Sequence, residues 1–257
     1  MTDASSRPDS RQRTLVTGGS RGIGAAIAER LAAHGHDLVL TYRDRRAEAE
    51  SVAAGCRAAG AQVELLQVDL ADLDAAARVV PEAIELLGGL TGLVNNAGIT
   101  GRITGFLDAP IEETELVFRV NVLAPIVLSR AAIAHMSTAL GGAGGAIVNI
   151  SSGAATNGAA HTYVPYAMSK AAVNILTLGT AREFAADGVR VNTVSPGTTF
   201  TEIHASAGRP NAPEERAPRI PMQRAGQPHE IAGAVAYLLS PDASYTTGAD
   251  IRIAGGN

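Results

Sequence analysis

Short apolar runs alternate with segments of helical period along almost the whole chain, and this alternation constrains the fold more than any other feature. Leu15-Val16, Leu38-Val39-Leu40, residues 63–66, Leu93-Val94, residues 146–150, residues 189–194 and a stretch near 250–253 read as strands. Between them lie helical patterns: from Ile23, with Ile27 and Leu31 at four-residue intervals, then 47–59, 73–87, 112–140, 166–186 and 229–239. Strict β/α alternation means parallel strands joined by right-handed crossovers, with helices on both faces. The strands are continuous apolar runs, as strands buried on both faces must be. The pattern predicts one α/β domain, a doubly wound seven-stranded parallel sheet whose ligands bind at the carboxyl ends of the strands.

Composition narrows the function classes. Of 257 residues, 46% are hydrophobic and 18% charged, as in a globular chain, and the formal net charge of -4 gives no reason to expect nucleic acid. Residues 1–12 read as a flexible polar segment and 13–257 as the catalytic domain. The start lacks the apolar core of a secretory signal, and no apolar run reads as long enough to span a bilayer, so no membrane partner is expected. The lone Cys56 rules out an internal disulfide, which suits the cytoplasm, and its Ala-rich helical setting reads as small apolar packing. His34, His36, His135, His161, His204 and His229 show no metal-ligand spacing, and no metal is expected.

Thr17-Gly18-Gly19-Ser20-Arg21-Gly22-Ile23-Gly24 lies between the first strand and the first helix. Glycines there let the backbone turn tightly and approach a pyrophosphate, while the helix beginning near Gly22 directs free N–H groups and a positive dipole end at it. Placement after the first strand makes this a dinucleotide site, a Rossmann-type feature.

The Gly-x-x-x-Gly-x-Gly spacing resembles that of the short-chain dehydrogenase/reductase family, and further motifs follow in order as far as the C-terminus. The resemblance implies an oxidoreductase acting on a carbonyl or alcohol. It makes Asp69-Leu70 the adenine-contacting pair, Asn96-Ala97-Gly98 a cofactor-lining turn, and Pro196, Gly197, Thr199 and Thr201 the segment along the nicotinamide. Asn121, Ser152, Tyr166 and Lys170 match the family's catalytic tetrad. The segments after Ile203 and around Gly248 look like members labelled glucose dehydrogenase or carrier-protein ketoacyl reductase, labels that leave the substrate open.

An NAD enzyme places an acid near the end of the second strand to bind the ribose 2′-hydroxyl. By the family's register that position is Tyr42, followed by Arg43. Absence of a carboxylate there, with Arg43 and Arg21 nearby, suits the 2′-phosphate of NADP(H). Asp44 becomes the acid, and NAD(H) the cofactor, if the register slips by two.

Tyr166 and Lys170 stand four apart and share a helix face. A free tyrosine has a pKa of about 10. A neighbouring ammonium, with the positive ring of the oxidised cofactor, is expected to lower it. The resemblance gives Tyr166 the role of acid in reduction and base in oxidation, and Lys170 a further bond to the nicotinamide ribose. Ser152 would donate to the substrate oxygen, with Ser151 as the alternative, and Asn121 would hold a water linking Lys170 to solvent. Ser152 precedes Tyr166 by 14 residues, a slightly longer gap than family members show. A module that only sensed NADP(H) would be expected to have lost Tyr166 or Lys170.

Three loops should form the substrate pocket: 99–107, 153–165 and a Pro-rich lid at 201–222 with at most short helices. His161, Tyr163, His204 and Arg209 are candidates to bind a polar substrate. The resemblance implies a homotetramer, and the helices from Glu112 and Tyr166 are apolar around most of their circumference.

Overall fold

The structure is a computed structural model, and it describes residues 11–257. Most of the segment 1–12 expected to be flexible lies outside the described residues. Arg11 pairs with Asp37 at 3.0 Å and Gln12 already opens the first strand.

Seven strands form one parallel sheet in the order β3-β2-β1-β4-β5-β6-β7. They are β1 (Gln12–Val16), β2 (His36–Tyr42), β3 (Val63–Gln67), β4 (Gly92–Asn95), β5 (Gly145–Ile150), β6 (Val189–Pro196) and β7 (Asp250–Ile253). The chain builds outward from β1 to β3, returns to the other side of β1 with β4, and then proceeds to β7. That reversal opens a crevice beyond the carboxyl ends of β1 and β4.

Side chains alternate between two cores along each strand, because successive Cβ atoms point to opposite faces. Val16, Leu40, Val94 and Val148 face one core, with Ile27 and Leu31 of α1 (Gly22–Ala33), Ala53 and Cys56 of α2 (Arg46–Ala58), and Ile231 and Leu238 of α10 (Pro228–Leu239). Leu15, Val39, Leu93 and Ile147 face the other, with Val79 and Val80 of α3 (Leu73–Leu87), Leu128 and Ile133 of α5 (Ala124–Met136), and Ala181 of α7 (Val164–Phe184). Burial pushes the Cys56 thiol up to about 11, so it stays protonated and unreactive, as its setting in sequence suggested.

A buried polar chain crosses the second face. Asn95 donates to Ser129 (3.1 Å) and to Asn149 (2.8 Å), Asn149 donates to Thr177 (2.8 Å), and Thr193 donates to the same Thr177 hydroxyl (2.8 Å). These bonds tie β4, β5 and β6 to α5 and α7, fixing the helix that carries Tyr166 against the strand ends.

The expected helix over 112–140 is not continuous. It runs as α4 (Ile111–Phe118), a wider π-helical turn at Arg119–Leu123, and α5, followed by a short 3-10 turn. The inserted turn swings Asn121 inward, where its amide bonds replace regular helix geometry. By length and composition the run Ile111–Met136 could cross a membrane, which corrects the expectation that no such run exists. Over half of it is buried in the protein, packed on α3, so its apolar character is that of a core helix. The lid carries only short helices, α8 (Ile203–Ser206) and α9 (Ala212–Arg216), as its prolines require. The remaining helix, α6 (Ala154–Asn157), follows β5.

Candidate active site

A cleft of about 1210 Å³ lies across the carboxyl ends of the strands. Its phosphate end is the turn from Thr17 to Gly24. Gly18 and Gly22 sit at φ +65° and +55°, where glycine is favoured. Gly24 answers a different need: a Cβ there would stand 2.1 Å from the Gly18 carbonyl oxygen and 2.6 Å from Asn96 Nδ2. The turn is held by its neighbours. Thr17 Oγ1 accepts from the backbone N–H groups of Asn96 and Ala97, and Asn96 Nδ2 donates to the Thr17 and Gly18 carbonyls.

The first turn of α1 contains no acidic residue, and no side chain caps it. Its free N–H groups face the cleft, with Ser20 and Ile23 also on the lining. The Arg21 guanidinium has a buried nitrogen, Nη1, with no hydrogen-bond partner. A cradle that a Cβ would fill and an unpartnered buried guanidinium nitrogen together suit a bound phosphate group.

The strand-end register can be read directly. β2 ends at Tyr42, which is buried and lines the cleft, and Arg43 and Asp44 follow as an exposed pair at 3.0 Å. Tyr42 thus stands at the expected position, while Asp44 lies just beyond it, its carboxylate held below the usual range by hydrogen bonding from Arg43. Asp69 and Leu70 line the same end, and Asp69 accepts from the Ala71 N–H at 2.9 Å. Ala97 and Gly98 form the middle of the floor, where a Cβ on Gly98 would meet Asn121 Oδ1 at 3.2 Å and Lys170 Nζ at 3.3 Å. Pro196, Gly197, Thr199 and Thr201 line the opposite wall, and Thr201 packs over Gly22.

Tyr166 is buried at the inner end of the cleft. Burial pushes its hydroxyl up to about 12, against a lowering hydrogen bond from the Ser152 side chain. Lys170 lies with its Nζ 5.8 Å from the Tyr166 ring centroid, and donates to the Ile150 carbonyl at 2.8 Å. Burial pulls its ammonium down to about 8. Lysine therefore loses its proton before tyrosine does, and the protein's own groups keep Tyr166 a phenol. Lys170 is itself desolvated and directs its ammonium at a carbonyl.

The two serines separate clearly. Ser151 is buried and donates to the Lys170 carbonyl at 3.0 Å, which fastens β5 to α7. Ser152 accepts from the Ala154 N–H at 3.1 Å and keeps its hydroxyl beside Tyr166. The longer gap to Tyr166 is taken up by α6 and a turn in which Gly158, Ala159 and His161 all have positive φ.

Asn121 does not line the cleft. Its amide accepts from Ile99 N–H (2.9 Å) and donates to Ile99 C=O (2.8 Å) and Ser169 Oγ (3.0 Å), so it clamps the loop after β4 to α7. Both side-chain amide hydrogens are committed to protein partners.

All three expected loops reach the cleft, but of the three polar candidates on them whose side chains are described only Tyr163 lines it. His161 is exposed away from the lining, and Arg209 pairs with Glu215. The side chain of His204 lies outside the described residues. Arg216, Arg219 and Arg252 line this end and were not singled out from sequence, since nothing in their local pattern separates them from solvated arginines. Among the described residues no group of three or more His, Cys, Asp or Glu could hold a metal ion.

Comparison with known proteins agrees with this geometry. A family model described as enoyl-(acyl carrier protein) reductase matches residues 18–257. The chain is 41% identical over 242 residues to the uncharacterized oxidoreductase YgfF of Escherichia coli K12, covering 94% of this chain and 98% of that protein. It is 31% identical to glucose 1-dehydrogenase 2 of Bacillus subtilis 168, covering 94% and 93%. Among solved structures, a short chain dehydrogenase from Burkholderia cenocepacia J2315 in complex with NADP superimposes with a TM-score of 0.87 at 37% identity, covering 97% of this chain and 99% of that one. Fold, glycine turn and full-length relatives converge: the chain is an oxidoreductase belonging to the short-chain dehydrogenase/reductase family.

Proposed function

We propose that this protein transfers a hydride between NADP(H) and a carbonyl or secondary alcohol of a small molecule, with Tyr166 as proton donor in reduction and acceptor in oxidation. The observation that carries the reading is Tyr166 itself, a buried phenol with the Ser152 hydroxyl beside it on the lining of a cleft that begins at the glycine turn. The nicotinamide ring, when bound, supplies or accepts the hydride. A phenol raised to about 12 holds its proton at neutral pH, which suits donation to a carbonyl oxygen as that oxygen gains charge. Ser152 presents a hydroxyl to the same oxygen, and Lys170, still largely an ammonium at neutral pH, places positive charge behind the phenol. Asn121 serves as a positioning residue through its clamp on Ile99.

Gly18, Gly22 and Gly24 would receive the pyrophosphate on the N-terminus of α1, and Arg21 with Arg43 the 2′-phosphate. The B. cenocepacia relative, crystallised with NADP, supports this choice. NAD(H) is the second reading, and it rests on Asp44, an ionised acid on the cleft lining two residues past the strand end. We further take the enzyme to be cytoplasmic and homotetrameric. In support of assembly, α4 and α7 expose Ile111, Leu116, Met168 and Ile175, an apolar surface that association would cover.

The test is Tyr166→Phe, followed by NADPH absorbance on a panel of ketones, aldehydes and ketoacyl thioesters. Turnover should be lost while NADPH fluorescence still reports binding. Full activity in the variant would refute the acid/base role.

A further inference from the structure

The substrate end of the cleft carries more positive charge than its acids balance. Arg216, Arg219 and Arg252 line it, and none of the three forms an ion pair among the described residues. The four acids on the lining lie elsewhere: Glu113 is taken by Arg102 at 2.9 Å, Asp44 by Arg43 at 3.0 Å, Asp69 stands with Leu70 at the Tyr42 end, and Glu202 lies against Gly22 of the glycine turn. Arg219 and Arg252 are exposed, and Arg252 already donates to Thr156. Arg216 is different. It is half-buried at the end of α9, its guanidinium carbon lies 5.9 Å from the Tyr163 ring centroid, and Nη1 donates to the Tyr163 hydroxyl at 3.2 Å. Tyr163 in turn meets the Tyr166 ring edge to face, with centroids 5.2 Å apart.

One aromatic ring therefore separates a fixed, unneutralised guanidinium from the phenol of the proposed acid/base. Tyr163 holds Arg216 through its face and its hydroxyl, leaving the other guanidinium nitrogens to donate to a carboxylate. Building a positive group into a substrate pocket without a protein carboxylate to answer it makes sense when the substrate brings the anion.

We infer that Arg216, held by Tyr163, is an anion anchor that selects substrates bearing a carboxylate a few bonds from the carbonyl or hydroxyl that reacts. This rests on the hydride-transfer reading above and narrows its substrate to oxo or hydroxy acids. The anion binds Arg216 while the reacting oxygen reaches Tyr166 and Ser152, so the anchor sets orientation as well as affinity.

The experiment compares 3-oxobutanoate, 4-oxopentanoate and 5-oxohexanoate with their methyl esters, under NADPH, for the wild type, Arg216→Gln, Arg216→Lys and Tyr163→Phe. In the wild type at least one acid should exceed its ester in kcat/KM. Arg216→Gln should lower kcat/KM for that acid by about 10- to 100-fold, the loss of one charge-assisted contact, and leave the ester nearly unchanged. Arg216→Lys should restore part of the preference, and Tyr163→Phe should raise KM for the acid more than for the ester. NADPH binding, read by fluorescence, should be equal in all four proteins. Equal loss on acid and ester in Arg216→Gln, or an ester preference in the wild type, overturns the anchor while leaving the hydride-transfer reading intact. Absence of turnover on every carbonyl tested, with NADPH bound, overturns both.

Discussion

Gly24→Ala and Gly55→Ala are the same substitution in two helices, and the structure assigns them opposite signs. Gly55 lies on the exposed face of α2, and a Cβ there meets nothing within 4 Å. Alanine should stabilise it by about 0.5–1 kcal/mol, the usual gain over glycine in a helix interior. At Gly24 the new Cβ would stand 2.1 Å from the Gly18 oxygen, 2.9 Å from the Gly18 carbonyl carbon and 2.6 Å from Asn96 Nδ2. No real Cβ approaches backbone so closely, so the turn itself must move. Overpacking of that kind costs about 1–3 kcal/mol. Displacing the Gly18 carbonyl also strains the bond it accepts from Asn96 at 3.1 Å. A lost bond adds about 0.5–1.5 kcal/mol. The helix gain offsets only part, leaving a net destabilisation of about 1–4 kcal/mol and a fall in Tm of roughly 2–15 °C. The moved carbonyl belongs to the proposed phosphate cradle, so NADPH affinity should fall about 10-fold or more. Thermal unfolding and NADPH fluorescence on both variants decide the matter. A Gly24→Ala protein as stable as Gly55→Ala, binding NADPH as the wild type does, would refute the close-approach reasoning.

Stability toward acid should depend on His36, whose Nδ1 meets Thr14 Oγ1 at 2.9 Å. Burial pulls its pKa from 6.5 down to about 4. The unfolded chain therefore takes up the proton first, and stability present above about pH 6.5 is lost as pH falls toward 4, by about 3 kcal/mol at the limit. Urea titrations should show His36→Asn losing correspondingly less between pH 7 and 4.5, and an unchanged slope would exclude His36 as the cause. Asp44→Asn should release Arg43 from its 3.0 Å ion pair and lower KM for NADPH. A collapse of NADH use with NADPH unaffected would instead make Asp44 the ribose acid. Ile175→Glu, at a position 69% exposed on α7, should reduce the mass seen by light scattering if that face is covered in an assembly. An unchanged mass would place the interface elsewhere.

Periodicity made the sheet legible because parallel strands buried on both faces leave unbroken apolar runs, and the helices between them keep a 3.6-residue period. The glycine turn was legible from its local pattern: Gly18 and Gly22 take positive φ, and Gly24 meets the Gly18 carbonyl six residues earlier, although the approach of Asn96 to Gly24 was not legible. Tyr166, Lys170 and the two serines could be named only through the resemblance to the family's motifs. Which serine faces Tyr166 could not, since Ser151 and Ser152 differ only in the direction each takes off the end of β5. The clamp that Asn121 makes on Ile99 and Ser169 was not legible, because the π-helical turn that carries it leaves no periodic trace.

Sequence by itself determined the architecture, the phosphate turn and the tyrosine–lysine pair, all of which depend on neighbours close along the chain or on a repeating pattern. Tertiary structure alone decided the charge of the substrate pocket. Arg216 is one arginine among many until the fold sets it against Tyr163, 53 positions earlier. It alone decided the burial of Tyr166 and Lys170 as well. Their four-residue spacing is local, but the desolvation that raises one pKa and lowers the other comes from burial by distant segments.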